Sequence, residues 1–193
     1  MGKQKVARLR AVAGIEAKRK MRFRVIVEHH KSDEAAPDLL NRTRRGWLHL
    51  AIPLDVYSRR VVGWAMGDKP NSTLHESALA MALEHRRPRP GLIHQTDRGT
   101  MYRTGAYRAM LRAAQLRPTM SGRKSAYYSA MAESFFSNLK NAMRHRSDFA
   151  AREQARCAVI EYIDMFYNRS RIHQSLAYLS PVQFERMSSN LLN

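Results

Sequence analysis

Two acidic residues in this 193-residue sequence have neighbours and spacing that suit metal-ion chemistry. Asp97 follows the apolar segment 91–94, which predicts a short buried strand, and open α/β sheets usually bind ligands at the C-terminal ends of their strands. Glu133 is predicted to lie in the first turn of a helix over residues 130–144. Carboxylate oxygens are the hard ligands that Mg²⁺ prefers, so a metal ligand is one of the roles that Glu133 could have.

Each of the two acids also has an ordinary structural explanation. An aspartate shortly before a glycine, as in Asp97-Arg98-Gly99, is common in turns. A glutamate near a helix N-terminus, as predicted for Glu133, interacts favourably with the helix dipole. Neither residue identifies a site alone, so the interpretation depends on the pair and on its context.

The sequence is strongly basic. It has 34 Lys and Arg against 16 Asp and Glu, a net charge of +18, and this favours a polyanionic partner such as nucleic acid. A membrane surface is the weaker alternative, since no apolar run approaches the roughly 18 residues of a spanning helix. The first twenty residues lack the apolar middle of a signal peptide, and Cys157 is the single cysteine. We therefore expect a cytoplasmic protein that handles nucleic acid and has no membrane partner.

The hydrophobic pattern predicts an α/β domain in the order β-β-α-β-α-β-α-α. With 44% hydrophobic residues, the chain can bury a core. Ser72 or Thr73 is expected to cap the first helix. The predicted strands are 47–54, 60–66, 91–94 and 117–120. The first helix is predicted to run from its cap to about residue 85, and the others to span 104–115, 130–144 and 151–168.

Residues 1–42 are assigned to a basic N-terminal arm and linker, and residues 43–193 to the α/β domain. The arm contains a short helical pattern that ends at Gly14, which is a good helix stop and would be the end of a helical DNA-binding unit. Residues 23–27 have the composition of a strand and are followed by Glu28.

Several segments of the sequence, called phrases below, are similar to those of one protein family. Thirty-five residues lie between Asp97, in the phrase 94–102, and Glu133, in the phrase 130–140. This spacing resembles the integrase catalytic core of bacterial insertion-sequence transposases. The phrases 44–64, 166–176 and 179–185 are similar to further segments of that family, so the resemblance covers about residues 42–187. It implies a ribonuclease H-like α/β core, followed by C-terminal helices.

The resemblance also implies a reaction and its partners. In that family three carboxylates hold two divalent ions, Mg²⁺ or Mn²⁺, that catalyse phosphoryl transfer on DNA. Asp97 and Glu133 would be the second and third of these acids. The expected partners are DNA, as element ends and target, and further copies of the chain in a homo-oligomer on that DNA.

Four basic residues are predicted to bind DNA phosphate. Lys140 follows Glu133 by seven residues and therefore falls on the same helix face, with Arg144 one turn further. Arg123 and Lys124 are expected near the same cleft. A solvated charged face is the alternative explanation for such residues.

The sequence departs from the family at the first catalytic acid. The family places that acid on a strand just upstream of the Gly46-Trp47 phrase, and this chain passes from Asn41-Arg42 to Thr43 without such a strand. The resemblance therefore implies an incomplete central sheet. Asp33 and Asp38 lie in a polar segment and are poor replacements, which leaves Glu28 and Asp55 as candidates.

A second departure lies before Glu133. Residues 124–129, Lys-Ser-Ala-Tyr-Tyr-Ser, replace a more polar loop of the family beside the site. Loss of a catalytic carboxylate removes several kcal/mol of transition-state stabilisation. We therefore expect a truncated and inactive transposase core.

Two alternative functions are kept. One is a non-catalytic DNA-binding remnant that occupies element ends or joins an intact transposase. The other is an RNA- or ribosome-associated protein, which would explain the charge but not the two spaced acids.

The fold and the site are both testable in the structure. Residues 47–54 and 61–66 should form antiparallel strands, with Ile93 on a neighbouring strand. The carboxylates of Asp97 and Glu133 should lie within about 4–8 Å of each other, a distance that a metal ion or its waters can bridge.

Overall fold

The first strand pair is an antiparallel hairpin, as the sequence predicts. The computed structural model describes residues 48–97, 99–120, 126–144, 149 and 151–190. Strand β1 (His49–Ala51) pairs with β2 (Ala65–Gly67), and a separate bridge joins Leu54 to Val61 nearer the turn. Both strands are shorter than predicted, because the residues between them make only isolated backbone hydrogen bonds.

The second strand pair is parallel and lies further along the chain. Strand β3 (Ile93–Thr96) pairs with β4 (Arg117–Met120), and the crossover between them contains a 3₁₀ turn (Thr100–Arg103) and a helix. The described strands therefore form two separate two-stranded sheets. The prediction that Ile93 lies on a strand next to the first hairpin was wrong for these residues, since β3 pairs with β4 instead.

Side-chain caps fix the first two helices. Helix α1 (Ser72–Arg86) begins after Asn71, whose Oδ1 accepts the backbone N–H of Leu74 at 3.0 Å. The cap is thus Asn71 and not Ser72 or Thr73, because the helical backbone already includes Ser72. Helix α2 (Gly105–Ala113) is the crossover helix, and the Thr104 hydroxyl caps it by accepting the N–H of Tyr107 at 3.2 Å.

Helix α3 is longer than predicted. It spans Ala126–Arg144 and so begins four residues before the predicted start at residue 130. Glu133 consequently lies about two turns inside the helix and not in its first turn. The segment contains no glycine or proline that would end the helix earlier.

The C-terminal part of the chain is helical. Helix α4 (Arg152–Glu161) continues directly into a π-helical segment (Tyr162–Tyr167), so that the predicted helix over 151–168 is present but changes its winding. A short 3₁₀ turn (Gln174–Leu176) precedes helix α5 (Pro181–Asn190). Pro181 stands at the first helical position, where its missing N–H leaves no hydrogen bond unmade.

The largest core cluster lies between the hairpin, α3 and the C-terminal helices. Phe135 is 1% exposed, and its ring packs edge-on against Tyr167 at 4.8 Å and against Tyr162 at 6.2 Å. This main core also contains further buried residues: Leu48, Leu50, Val61, Phe136, Leu139, Met143, Ala155, Ala158, Val159 and Ile163.

A smaller cluster supports the β3–β4 pair. It consists of four buried residues from α1, α2 and the turn before β4: Leu79, Tyr107, Leu111 and Leu116. At Gly63 the hairpin approaches α1 so closely that a Cβ atom would lie 2.5 Å from the Ala78 carbonyl oxygen. Only glycine fits there, and this contact fixes α1 against the hairpin. Within the described residues, no helix has the length and apolar character needed to cross a membrane.

Candidate active site

Asp97 lies just beyond the C-terminal end of β3, where the sequence predicts it. Its side chain is exposed, and Oδ1 accepts the backbone N–H of Gly99 at 2.8 Å. A Cβ atom added at Gly99 would lie 2.8 Å from that same Oδ1 and 3.4 Å from the Tyr102 ring. The backbone of Gly99 therefore holds the carboxylate in this position, and a larger residue there would require the Asp97 side chain to shift.

A buried group of aromatic and histidine side chains lies next to Asp97. His75 is 7% exposed and packs edge-on against Tyr102 at 5.0 Å, and its Nε2 has no hydrogen-bond partner among the described residues. Burial lowers the pKa of His75, and the charge of Asp97 opposes that change. Burial and the charge of Asp97 together raise the pKa of Tyr102 to about 12. Both neighbours of Asp97 are thus neutral at neutral pH, and neither carries a positive charge that would pair with it.

The second layer of this group is a tyrosine–histidine pair. Tyr107 packs edge-on against Tyr102 at 5.4 Å, and its hydroxyl is 2.9 Å from His94 Nε2. Burial lowers the pKa of His94, so this histidine is also neutral at neutral pH. The pair connects β3 to α2 and thereby holds the strand that ends at Asp97.

Glu133 lies on the exposed side of α3. Phe135 and Phe136, two and three residues later, are buried in the main core and fix the rotation of the helix. Lys140 is exposed seven residues after Glu133, as predicted for the same helix face. A fixed helix therefore presents a carboxylate and an ammonium group to solvent along one side.

Asp55 has its carboxylate oxygens engaged in the turn of the hairpin. Oδ1 accepts the backbone N–H groups of Tyr57 at 2.8 Å and Ser58 at 3.3 Å, and Oδ2 accepts Arg86 Nη2 at 2.8 Å. These contacts give Asp55 a role in the turn, and they leave it a poor substitute for a missing metal ligand.

Two residues of the C-terminal segments, Asn168 and Glu185, hold the hairpin through polar contacts, which we call the clamp. The Asn168 side chain accepts the N–H of Val61 and donates to its carbonyl, both at 3.0 Å, as a neighbouring strand would. Glu185 forms ion pairs with Arg60, at 2.7 Å, and with Arg86. Burial alone would raise the pKa of Glu185, but the hydrogen bonds from Arg86, Ser58 and Arg60 lower it.

Comparison with known proteins agrees with this arrangement. A family model described as an integrase core domain matches residues 38–126, and a second model with the same description matches residues 133–188. The 31 kDa protein of insertion element IS600 from Shigella sonnei is 36% identical over 203 residues, which cover 95% of this chain and 75% of that protein. The chain belongs to the insertion-sequence transposases with an integrase core.

Two curated transposases match a shorter part of this transposase core. The transposase of IS904 from Lactococcus lactis is 36% identical over 147 residues, 76% of this chain and 58% of that protein. Transposase InsF of IS3A from Escherichia coli K12 is 44% identical over 145 residues, 75% of this chain and 50% of that protein. The chain thus spans between half and three-quarters of the length of these three relatives.

Solved structures confirm the fold class of the transposase core. A simian T-cell lymphotropic virus intasome, in complex with the PP2A regulatory subunit B56 gamma, superposes with a TM-score of 0.59 at 16% identity over 74% of this chain and 50% of that chain. The HTLV-2 integrase catalytic core domain, in complex with magnesium, gives 0.56 at 13% identity over 74% of this chain and 88% of that chain. At these identities the likeness concerns the fold alone, which is the ribonuclease H-like integrase core.

The structure describes some of the predicted site residues of the transposase core and not others. Asp97, Glu133 and Lys140 are exposed on the elements predicted for them. The side chain of Arg144, and the whole of Arg123 and Lys124, lie outside the described residues. So do the three upstream acids, Glu28, Asp33 and Asp38. The approach of Asp97 and Glu133 to within about 4–8 Å stays a prediction.

Sequence reasoning missed the residues that surround Asp97. Gly99 appeared only as part of a turn, and His75 and Tyr102 were not singled out. The signals were a glycine two residues after the acid and a histidine on the apolar face of a helix. Neither signal identifies a site until the fold brings α1 beside the end of β3.

Proposed function

We propose that this chain is a transposase core that binds DNA and presents Asp97 and Glu133 to it, but does not by itself carry out strand transfer. The observation that carries the proposal is the exposed Asp97 carboxylate, fixed by Gly99 at the end of β3 in an integrase-core fold. In this proposal Asp97 and Glu133 are the second and third acids of the family, and residues 1–42 are a basic arm.

The donor set for metal ions argues for inactivity. When bound, divalent ions such as Mg²⁺ supply the charge that stabilises attacking and leaving oxygens in this family. No group of three or more acidic, histidine or cysteine side chains that could hold a metal ion occurs among the described residues. Asp55 is engaged by Arg86 and the turn. The described residues thus do not fit a complete two-metal site, and we derive no catalytic step through one.

The chain's own residues support binding to DNA. The net charge of +18 attracts the phosphate backbone, and Lys140 is exposed on the same helix as Glu133. Arg123, Lys124 and Arg144 complete the proposed contact surface. One structural neighbour was solved as an intasome, which supports the proposal that this chain binds DNA as a homo-oligomer.

A strand-transfer assay tests both parts of the proposal. The full chain is incubated with element-end DNA and Mg²⁺ or Mn²⁺, and DNA binding is measured over a series of salt concentrations. We expect binding that weakens steeply with salt, because phosphate counterions are released, and no strand transfer.

The Asp97→Ala variant is the control for chemistry. Robust strand transfer that Asp97→Ala abolishes would contradict the proposed inactivity and would show that another acid completes the site. Absence of salt-sensitive binding in the full chain would contradict the proposed DNA partner.

A further inference from the structure

An open cavity lies beside α3, near the residue that follows Glu133. It has a volume of about 450 Å³ and is lined by the hairpin turn at Arg59, by Ser134 on α3, and by the segment from Arg171 to Ser175. The contact surface proposed above for DNA, with Lys140, Arg144, Arg123 and Lys124, does not include the residues that line this cavity. Of the described residues that line it, none is acidic.

Arg171 is held in place by aromatic and histidine neighbours. Its guanidinium lies over the Tyr167 ring, 5.4 Å from the centroid, and Nη1 lies 3.2 and 3.4 Å from the two ring nitrogens of His173. Tyr167 is buried and packs against Phe135 in the main core. A guanidinium fixed in this way loses little conformational entropy when it binds an oxyanion.

The backbone of Arg59 is held in an unusual conformation. It has φ 61°, in the left-handed region that residues other than glycine rarely adopt. Asp55 fixes this turn by accepting the N–H groups of Tyr57 and Ser58, and Ser58 is completely buried. Unfavourable backbone conformations of this kind persist where surrounding contacts enforce them, and they concentrate at functional sites.

The electrostatic field in the cavity favours an anion. The pKa of His173 falls to about 4, first through burial and then through the positive charges of Arg171 and Arg59. His173 is therefore neutral at neutral pH and adds no positive charge beside Arg171. Two guanidinium groups that repel a third positive charge will attract a negative one by the same field.

We propose that this cavity, the Arg59–Arg171 pocket, binds a phosphodiester group of the DNA next to the Glu133 face of α3. The two guanidinium groups match the oxygens of a phosphate, and Ser134, Gln174 and Ser175 add polar groups around it. The inference rests on the proposed function, which supplies DNA as the ligand. A free phosphate ion has the same chemistry and is the alternative source.

Charge variants of the full chain test the pocket against matched controls. Arg59→Gln and Arg171→Gln each remove one positive charge, and Gln174→Glu adds a negative charge with almost no change of shape. The control for the arginines is Arg108→Gln, on the exposed side of α2, and the control for Gln174 is Gln115→Glu, in the turn before β4. Neither control residue lines the pocket.

The measurement is fluorescence anisotropy with a short labelled DNA duplex of random sequence at several salt concentrations. We expect each pocket variant to weaken binding about three- to tenfold, as for loss of one charge-assisted contact. Each arginine variant should also reduce the slope of log K against log salt by about 0.9. The controls should change affinity less than about twofold, as expected for a residue that makes no phosphate contact. Circular dichroism confirms that each variant is folded.

The outcomes separate the pocket from the proposed function. If the full chain itself shows no salt-sensitive binding, the proposed function fails. If the full chain binds DNA and the pocket variants match their controls, the pocket inference fails alone. A thermal shift with inorganic phosphate distinguishes the two sources. If inorganic phosphate raises the melting temperature of the full chain but not of Arg59→Gln, and Arg59→Gln binds DNA normally, the ligand is a free anion. That result would overturn the phosphodiester assignment.

Discussion

The surroundings of Glu133 and of Asp97 are built very differently. Glu133 lies on a helix that the main core holds through Phe135 and its neighbours. Asp97 ends a strand whose pair is supported by a cluster of only four buried residues. Ile93, at the start of β3, is 62% exposed, and Met120, at the end of β4, is 43% exposed.

This difference shows which region of the integrase core is more fully packed by the described residues. In the region with Glu133, the hairpin, α3 and the C-terminal helices enclose the main core. Strand β3, in contrast, has a described partner strand on one side only. Among the described residues, the two acids therefore lie on parts of the fold with unequal support.

The largest expected effect is the loss of Phe135. Phe135→Ala should lower the free energy of unfolding by about 3–5 kcal/mol, because it leaves a cavity in the main core. Ile93→Ala, on the exposed strand, should lower it by less than about 0.5 kcal/mol. Urea denaturation measures both. Equal effects would contradict the contrast between the two regions.

A second substitution tests the clamp between the C-terminal segment and the hairpin. Asn168→Ala leaves the N–H and carbonyl of Val61 buried without partners and should lower the free energy of unfolding by about 1–3 kcal/mol. Asn141→Ala, at an exposed position of α3, should be neutral or slightly stabilising, since alanine favours helix by a few tenths of a kcal/mol. If the two variants behave alike in thermal unfolding, Asn168 does not act as a clamp.

We expect His173 to contribute to the pH dependence of the free energy of unfolding. The pKa of His173 is about 4 in the folded chain and near 6.5 when unfolded, so the unfolded state binds more protons between these values. Stability is therefore fully present above pH 6.5 and is lost as the pH falls towards 4. His173→Gln should reduce the proton uptake on unfolding near pH 5 by about one proton. An unchanged pH profile would show that His173 is not buried as described.

The smallest effect concerns the environment of Asp97. Its charge raises the pKa of His75 against the effect of burial, so Asp97→Asn should lower that pKa further. An NMR titration of the histidine ring measures the change, with Glu84→Gln on the exposed side of α1 as the control. A His75 pKa that does not respond to Asp97→Asn would place the carboxylate away from the aromatic group.

Periodicity and turn signals predicted most of the elements in this chain. The strand over 117–120 has the predicted bounds, and α1 ends one residue from its predicted end. The spacing between Asp97 and Glu133, together with the segments around them, identified the family. This comparison does not require the helix or strand propensity of single residues. The start of α3 was less predictable, since residues 126–129 have no strong helix or turn signal.

Contacts between distant segments could not be predicted from the sequence. Asn168 and Val61 are 107 positions apart, and neither has a local feature that indicates the other. The same holds for Arg59 and Arg171, which line one cavity although they are far apart in the sequence. Sequence patterns carry information on periodicity and capping, whereas the positions of such contacts depend on the packed fold.

The hydrogen bonds between Asn168 and Val61 also determine when this domain can fold during synthesis. The hairpin contains the first partner, and the ribosome must add 107 further residues before it adds the second. At about 5–20 residues per second this takes on the order of 5–20 s, during which the turn around Val61 lacks its clamp. Folding of the transposase core is therefore completed only once its C-terminal segment has been released, and a nascent chain stopped before Asn168 would be an early target for chaperones and proteases.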